Sequence, residues 1–195
     1  LLVEDKSEMI VGNYLSNAPI DRDESEPTME KYKEDQKTDL NGVEIFQDNG
    51  YSGSLTADYY AKENAIAYIP DALTTQILHG KIKEIPKFHS DNFELDFEKN
   101  QAICPAGHRM DFLRRDEKDS GSWSNIYKTK KCKQCEYRKE CIESKTYVYR
   151  YIRINPEMKK IRLRMKTKEG IEKYNKRFHK GEVSQAHILH NLEYR

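Results

Sequence analysis

Residues 43–71 read VEIFQDNGYSGSLTADYYAKENAIAYIPD, and this stretch decides the fold class. Val43–Gln47 is rich in β-branched and aromatic residues and predicts a strand. Leu55–Asn64 predicts a helix, and Ala65–Ile69 predicts a second strand. The stretch therefore indicates a strand–helix–strand unit with Asp48 at the end of its first strand.

The residues before this unit extend the same alternation. Leu1–Val3 and Met9–Tyr14 predict a hairpin, and Glu26–Lys37 predicts a helix with proline in its first turn. The order hairpin, helix, strand, helix, strand is typical of the front of a ribonuclease H-like α/β fold, in which helices cover a mixed sheet and carboxylates gather at strand ends. A generic α/β fold has the same order.

The regular alternation fails from residue 72 to residue 150, a segment that holds all four cysteines. It predicts an insertion without enough apolar residues for a core of its own. Tyr147–Ile154 then predicts a returning strand, and Asn155-Pro156 begins a basic helical region that Gly170 and Gly181 interrupt. Three parts result: a front part of the core (1–71), a basic cysteine-rich insertion (72–150), and the returning strand with a C-terminal helical region (151–195).

Opposite charges are concentrated in different parts of the chain. Residues 1–60 hold 14 acids and five bases, whereas residues 128–180 hold 19 Lys and Arg and six Glu. A basic face of this kind is often only solvated, but segregation on this scale favours a polyanion partner such as DNA. Residues expected to bind its backbone are Lys130, Lys131, Arg138, Arg162 and Arg164.

Membrane and secreted classes are disfavoured. No run approaches the roughly 20 apolar residues of a membrane span, and no basic-then-apolar leader is present, which predicts a cytoplasmic protein without a membrane partner. Because the sequence begins at Leu1 and not at Met, we also expect that upstream residues are missing.

The cysteine spacing predicts one structural Zn²⁺ bound by four thiolates. Cys132 and Cys135 form a C-x-x-C pair whose turn directs both sulfurs to one point, and neighbouring lysines favour thiolates. A metal would supply stability that a thin insertion lacks. The alternatives are reduced cysteines, a disulfide, or His108 in place of one thiol. The expected ligands are Cys104, Cys132, Cys135 and Cys141.

In sequence order, several motifs resemble bacterial insertion-sequence transposases of the DDE type. They are Asp48-Asn-Gly-Tyr-Ser52, Ala67-Tyr-Ile-Pro-Asp71, Cys104-Pro-Ala-Gly-His108, Lys131-Cys132-x-x-Cys135 with Cys141, and Glu169-Gly170 with Tyr174-x-x-Arg177-x-x-x-x-Glu182. Their agreement in order along most of the chain is more specific than any one motif.

The resemblance implies a ribonuclease H-like catalytic core in which two Asp and one Glu bind two Mg²⁺ or Mn²⁺ ions for DNA cleavage and strand transfer. Asp48 matches the second acid and Glu182 the last. For the first acid the register favours Glu4, whereas the residue type favours Asp5, which we select. On the helix that bears Glu182, the planar guanidinium of Arg177 is expected to clamp a phosphate, and Tyr174 is expected to stack on or hydrogen-bond to DNA.

The same resemblance implies a homodimer that acts on the ends of a mobile element and on target DNA. Where the family has an aromatic residue and a Lys after the last acid, this chain has Gln185 and Leu189, and its tail is short. The competing hypothesis is therefore a truncated or inactive transposase remnant that acts as a zinc-containing DNA-binding module.

Overall fold

Short strands alternate with helices at the start of the chain, and a larger sheet follows. The structure is a computed structural model, and it describes residues 2–4, 9–17, 23–142, 144 and 146–176. The chain forms two units, one from Leu1–Thr74 with Ile161–Arg195 and the other from Thr75–Lys160. In sequence, the second unit thus lies between the two segments of the first.

The first unit contains the elements that the sequence predicts for its N-terminal segment, in the predicted order. The predicted hairpin is confirmed, because β1 pairs antiparallel with β2. The ends of the elements differ from the prediction by at most two residues. The elements are β1 (Leu2–Val3), β2 (Ile10–Gly12), α1 (Ser25–Gln36), β3 (Glu44–Phe46), α2 (Ser54–Lys62) and β4 (Ile66–Tyr68).

Strands β3 and β4 are parallel neighbours, with Phe46 opposite Tyr68. Helix α2 provides the crossover that a parallel pair requires. Its buried face carries Thr56, Ala57, Tyr59 and Tyr60. Because the strands are parallel, their carboxyl ends lie at the same edge of the pair.

The predicted mixed α/β class is confirmed, but a single mixed sheet is not observed among the described strands. In the first unit, β1–β2 forms one two-stranded sheet and β3–β4 forms another. The ribonuclease H-like assignment therefore stays a prediction.

The second unit is more regular than the sequence predicts. After helix α3 (Ala72–Leu78), which crosses the boundary between the units, five strands form one antiparallel sheet in sequence order. The short helix α4 (Arg138–Cys141) precedes the last strand. The strands are β5 (Glu94–Asp96), β6 (Gln101–Ile103), β7 (Arg109–Glu117), β8 (Trp123–Lys128) and β9 (Tyr151–Ile154).

This second unit has a hydrophobic core, so the expectation that residues 72–150 lack one is wrong. Part of the reason is that β9, which lies beyond residue 150, pairs with β8 and contributes two buried isoleucines. The structure divides the chain after Thr74 and after Lys160, whereas the sequence predicts divisions after residues 71 and 150. The predicted boundaries stay predictions. The core residues are Phe93, Ala102, Met110, Tyr127, Ile152 and Ile154.

A basic helical region follows β9, as predicted. The side chain of Asn155 accepts a 2.9 Å hydrogen bond from the backbone N of Met158 and so caps helix α5 (Pro156–Met165). Residues 168–176 are helical and are named α6. The interruption lies at residues 166–167 and not at Gly170, because Thr167 Oγ1 accepts a hydrogen bond from Gly170 N and caps the new helix.

Across the described ranges, no helix has both the length and the apolar character needed to cross a bilayer.

Candidate functional site

Asp48 lies at the carboxyl end of β3, two residues beyond the strand. Its Oδ1 accepts a 2.8 Å hydrogen bond from the backbone N of Gly50, and the residue caps a short 3-10 helix, Asn49–Tyr51. A carboxylate has about four acceptor sites. The turn-forming role expected of Asp before Asn-Gly is therefore present, and it is compatible with a second role in binding metal.

Of the other predicted acids, Glu4 lies among the described residues. Glu4 follows β1 directly and is half-buried, and its backbone N donates a 2.9 Å hydrogen bond to Met9 O within the hairpin. Asp5 and Glu182 lie outside the described residues. The convergence of three acids thus stays a prediction, and so does the choice between Glu4 and Asp5.

Asp71 is a second aspartate at the same edge of the parallel pair, and the sequence analysis did not select it. It follows β4 by three residues and is buried, with 9% of its surface exposed. Its Oδ1 accepts a 2.7 Å hydrogen bond from Thr74 N, and its Oδ2 lies 3.0 Å from Arg162 Nε. These contacts give Asp71 a structural role, since it caps α3 and pairs with a cation.

Helix α6 is attached to the parallel pair by a polar network, and it carries a buried ring. Lys173 Nζ lies 2.6 Å from Glu44 Oε1, and the Tyr68 hydroxyl donates to the same oxygen at 2.9 Å. Hydrogen bonds to Glu44 and Glu169 raise the pKa of Lys173 above its usual value. Tyr174 is buried, with 4% of its surface exposed. The polar contacts of Lys173 therefore hold α6 beside the strand that leads to Asp48.

The four cysteines line one cavity in the second unit, called here the cysteine cavity. They come from different local structures: the residue after β6, a 3-10 helix over Lys130–Gln134, the residue that follows it, and the end of α4. All four are free thiols and are partly exposed. They are Cys104, Cys132, Cys135 and Cys141.

The thiols also interact electrostatically. Burial raises the pKa of Cys141, the nearby Arg150 guanidinium lowers it, and the other three cysteines raise it. Among the described residues, no group of three or more His, Cys, Asp or Glu is already arranged to hold a metal ion. The cavity thus brings the predicted ligands together, but the zinc site itself stays a prediction.

A tight turn supports one of these thiols. Cys104 N donates to His108 O at 3.0 Å, and Gly107, with φ of +77°, allows the chain to reverse. The backbone N of His108 donates to Cys104 Sγ at 3.3 Å. The turn thus holds the Cys104 sulfur in place in the lining of the cysteine cavity.

The basic residues predicted to bind DNA fall into two groups. Lys130 and Lys131 are exposed at the start of the 3-10 helix beside the cysteine cavity. Arg138 instead lines that cavity, and its Nη2 donates a 3.3 Å hydrogen bond to Tyr147 O. The two lysines therefore have the exposure that a phosphate contact needs.

The remaining predicted DNA contacts have partners within the first unit. Arg162 pairs with Asp71, and Arg164 Nη1 donates a 2.5 Å hydrogen bond to Ala67 O. Tyr174 is buried, and Arg177 lies outside the described residues. These contacts favour structural roles for Arg162, Arg164 and Tyr174, whereas their contact with DNA stays a prediction.

Cationic side chains also lie over aromatic rings on the second unit's sheet, which the sequence analysis did not single out. Arg115 Cζ lies 3.8 Å from the centre of the Trp123 ring, and Lys128 Nζ lies 4.4 Å from that of Tyr149. The register of β8 against β9 explains why Lys128 lies near the tyrosines of this segment, because it places Lys128 opposite Tyr151.

Comparison with known proteins finds a family match over part of the chain. Residues 103–195 match the family model of the transposase DDE domain, and this segment, slightly less than half of the chain, contains all four cysteines and α6. No curated protein and no solved structure matches the chain. This match supports the resemblance to insertion-sequence DDE transposases that the sequence motifs indicate. Asp48 precedes the matched segment.

Proposed function

We propose that this protein is the catalytic region of a transposase that cleaves DNA and transfers strands by metal-dependent phosphodiester substitution. The observation that carries the proposal is the match of residues 103–195 to the transposase DDE domain. The position of Asp48 at the carboxyl end of a parallel strand supports it, since carboxylates gather at such ends in α/β enzymes.

The proposed acids are Asp48, Glu182 and Asp5, with Glu4 as the alternative to Asp5. Helix α6 supports this set, because the Lys173–Glu44 ion pair ties it to β3, the strand that leads to Asp48. Glu182 lies further along the chain from this helix and outside the described residues. We therefore expect the last acid to reach the edge of β3 at which Asp48 lies.

The chemistry needs little from the protein besides position and charge. Two divalent ions, Mg²⁺ or Mn²⁺, would activate a water or 3′-hydroxyl and stabilise the departing oxygen. The carboxylates hold such ions and offset their charge. Without ions, clustered carboxylates raise one another's pKa, so ion binding and ionisation of the acids are coupled.

A strand-transfer assay tests the enzymatic role and separates it from the capping role of Asp48. Asp48→Asn keeps an oxygen that accepts from Gly50 N, but it removes the charge that binds metal. We expect it to abolish strand transfer with Mg²⁺ or Mn²⁺ while folding normally. Asp48→Ala should lose activity and also about 0.5–2 kcal/mol of capping stability.

The matched control is Asp35→Asn. Asp35 is an exposed helical aspartate that pairs with Lys31, and such pairs contribute little. The assay uses the protein with its natural flanking sequence and a plasmid that carries the element ends. Full activity of Asp48→Asn would refute the role of Asp48 as a metal ligand.

A noncatalytic, zinc-containing DNA-binding remnant is the second candidate. The observation that favours it is that the second unit has its own core and places exposed Lys130 and Lys131 beside the cysteine cavity. It predicts DNA binding without strand transfer by the wild-type protein in its natural length. Metal-dependent strand transfer by that protein would exclude it.

The zinc site is proposed to be structural, with Cys104, Cys132, Cys135 and Cys141 as ligands. The cavity that they share and the N–H···S hydrogen bond at Cys104 support this assignment. Zinc with four cysteine ligands is closed to substrate and serves folding. Elemental analysis of protein purified under reducing conditions should find one zinc per chain.

The proposed partners are DNA at the element ends and at the target, bound by a homodimer in the cytoplasm. Lys130 and Lys131 are the proposed backbone contacts that the described structure leaves exposed. Phosphate contacts of this kind position the protein without reading sequence.

A further inference from the structure

Two arginines share the cysteine cavity with the four thiols. Arg138 lies in α4, and Arg150 immediately precedes β9. Both side chains line the cavity. Their terminal nitrogens have backbone partners, since Arg138 Nη2 donates to Tyr147 O and Arg150 Nη1 donates to Cys141 O, each at 3.3 Å. These bonds fix the two guanidinium groups in place.

The inner nitrogens of both arginines are left without acceptors. Arg138 Nε and Arg150 Nε are buried and have no hydrogen-bond partner within the described part of the chain. A buried N–H donor without an acceptor costs about 1–3 kcal/mol, and more when the group is charged. Two such donors at one cavity therefore indicate acceptors that form only when a ligand binds.

The cavity lining restricts what those acceptors can be. The described residues that line the cavity include no Asp or Glu, and several are apolar: Phe88, Phe93, Met110 and Ile142. The side chains there that can become anionic are the thiols. Four thiolates around one Zn²⁺ carry a net charge of −2, which two guanidinium groups balance.

We propose that Arg138 and Arg150 are positioning residues for the zinc site, which donate from Nε to its thiolate sulfurs and neutralise their excess negative charge. This inference rests on the proposed zinc site and assigns it an outer shell. It also changes the predicted role of Arg138 from a contact with DNA to a contact with the metal ligands. Outer-shell donors of this kind typically change metal affinity by about 10- to 100-fold.

Metal titration of the full chain tests the inference. Reduced, metal-free protein is titrated with Co²⁺, whose absorption reports tetrahedral thiolate ligation, and Zn²⁺ affinity follows from competition with the bound Co²⁺. We expect one Co²⁺ per chain in the wild-type protein. Arg138→Gln and Arg150→Gln should each weaken Zn²⁺ binding by about 10- to 100-fold. Arg→Lys variants should be intermediate, because they keep charge but lose the planar donor.

The control is Arg153→Gln, which removes an exposed arginine of β9 that pairs with Asp116 on the sheet. It should leave Zn²⁺ affinity unchanged. Thermal unfolding with and without Zn²⁺ separates positioning from general stability. Loss of the arginines should lower the midpoint of the zinc-loaded protein more than that of the metal-free protein, whereas a purely structural role would lower both equally.

The outcomes distinguish the two proposals. If the wild-type protein binds no Co²⁺ with thiolate absorption, the zinc site is wrong and the role of the arginines is wrong with it. If the wild-type protein binds Co²⁺ but both Arg→Gln variants bind Zn²⁺ as tightly, the zinc site stands and the arginine inference is overturned. If an Arg→Gln variant fails to fold even with Zn²⁺, wild-type Zn²⁺ affinity in its Arg→Lys counterpart overturns the inference.

Discussion

Replacing Gly170 with alanine should destabilise the protein, although alanine stabilises most helices. Gly170 lies in the first turn of α6, where alanine would ordinarily gain about 1 kcal/mol over glycine. A Cβ at this position would lie 2.1 Å from the backbone oxygen of Arg164 and 3.0 Å from Thr167 Oγ1. The packing of α6 against the end of α5 therefore opposes helix propensity.

The loss of stability in Gly170→Ala can be estimated from how far the Arg164 carbonyl oxygen and the new Cβ must separate. A comfortable C···O contact is about 3.3–3.6 Å, so more than 1 Å of separation must be created. The Arg164 oxygen is held by Thr167 Oγ1 at 2.7 Å and by Thr167 N at 3.1 Å, so it cannot move without breaking the cap. Overpacking of this kind costs about 1–3 kcal/mol. Because the clashing atom is a backbone oxygen, the cost should lie in the upper part of this range, about 2–3 kcal/mol. Subtracting the gain of about 1 kcal/mol in helix propensity leaves a net loss of about 1–2 kcal/mol.

Urea and thermal unfolding measure this loss, and amide hydrogen exchange in residues 168–176 locates it. A loss of this size lowers the thermal midpoint by roughly 2–8 °C in a protein of this length. Two controls separate the possible causes. Lys168→Ala removes a side chain that is 91% exposed and should change stability by at most about 0.5 kcal/mol. Gly42→Ala, at φ of +72° with open space around it, should show the cost of backbone conformation alone, about 1–2 kcal/mol.

Steric overlap and helix propensity predict opposite signs for the change in stability caused by Gly170→Ala. If Gly170→Ala raises the midpoint, as helix propensity alone predicts, the close approach of Gly170 to the Arg164 carbonyl is wrong.

Three further predictions concern a cap, the DNA surface and the metal. Asn155→Ala should cost about 0.5–2 kcal/mol in urea unfolding by removing the cap of α5, whereas Asn155→Asp should keep it. Changing Lys130 or Lys131 to Gln should in each case lower the magnitude of the slope of the log binding constant for DNA against log salt concentration by about one phosphate contact. The control is Lys118→Gln, which also changes an exposed lysine. An unchanged slope would contradict the role of Lys130 and Lys131. Removing zinc by chelation should increase hydrogen exchange in the second unit and leave β3 and β4 protected, and uniform exchange in both units would count against a local metal site.

Features that depend on neighbouring residues could be predicted from the sequence alone. The alternation in Tyr147–Ile154 predicts a strand, and the second half of this segment forms β9 with Ile152 and Ile154 buried, whereas residues 147–150 are not in a strand. Asn155-Pro156 predicts the start of a helix because capping is a local hydrogen bond. The position of Asp48 at a strand end follows in the same way from the Asn-Gly turn after it.

Features that depend on distant residues required the tertiary structure. The core of the second unit joins Phe93 to Ile154 across strands far apart in sequence, so no short window of residues 72–150 reveals it. The same holds for the arginines, because the sequence shows where a positive charge lies along the chain but not which group it contacts. Arg162 pairs with an aspartate and Arg138 lines the cysteine cavity, whereas Lys130 remains exposed. Local sequence determined the order of the strands and helices in the N-terminal segment of the first unit, and long-range packing decided which of the protein's charges face solvent, because burial depends on contacts between residues far apart in the chain.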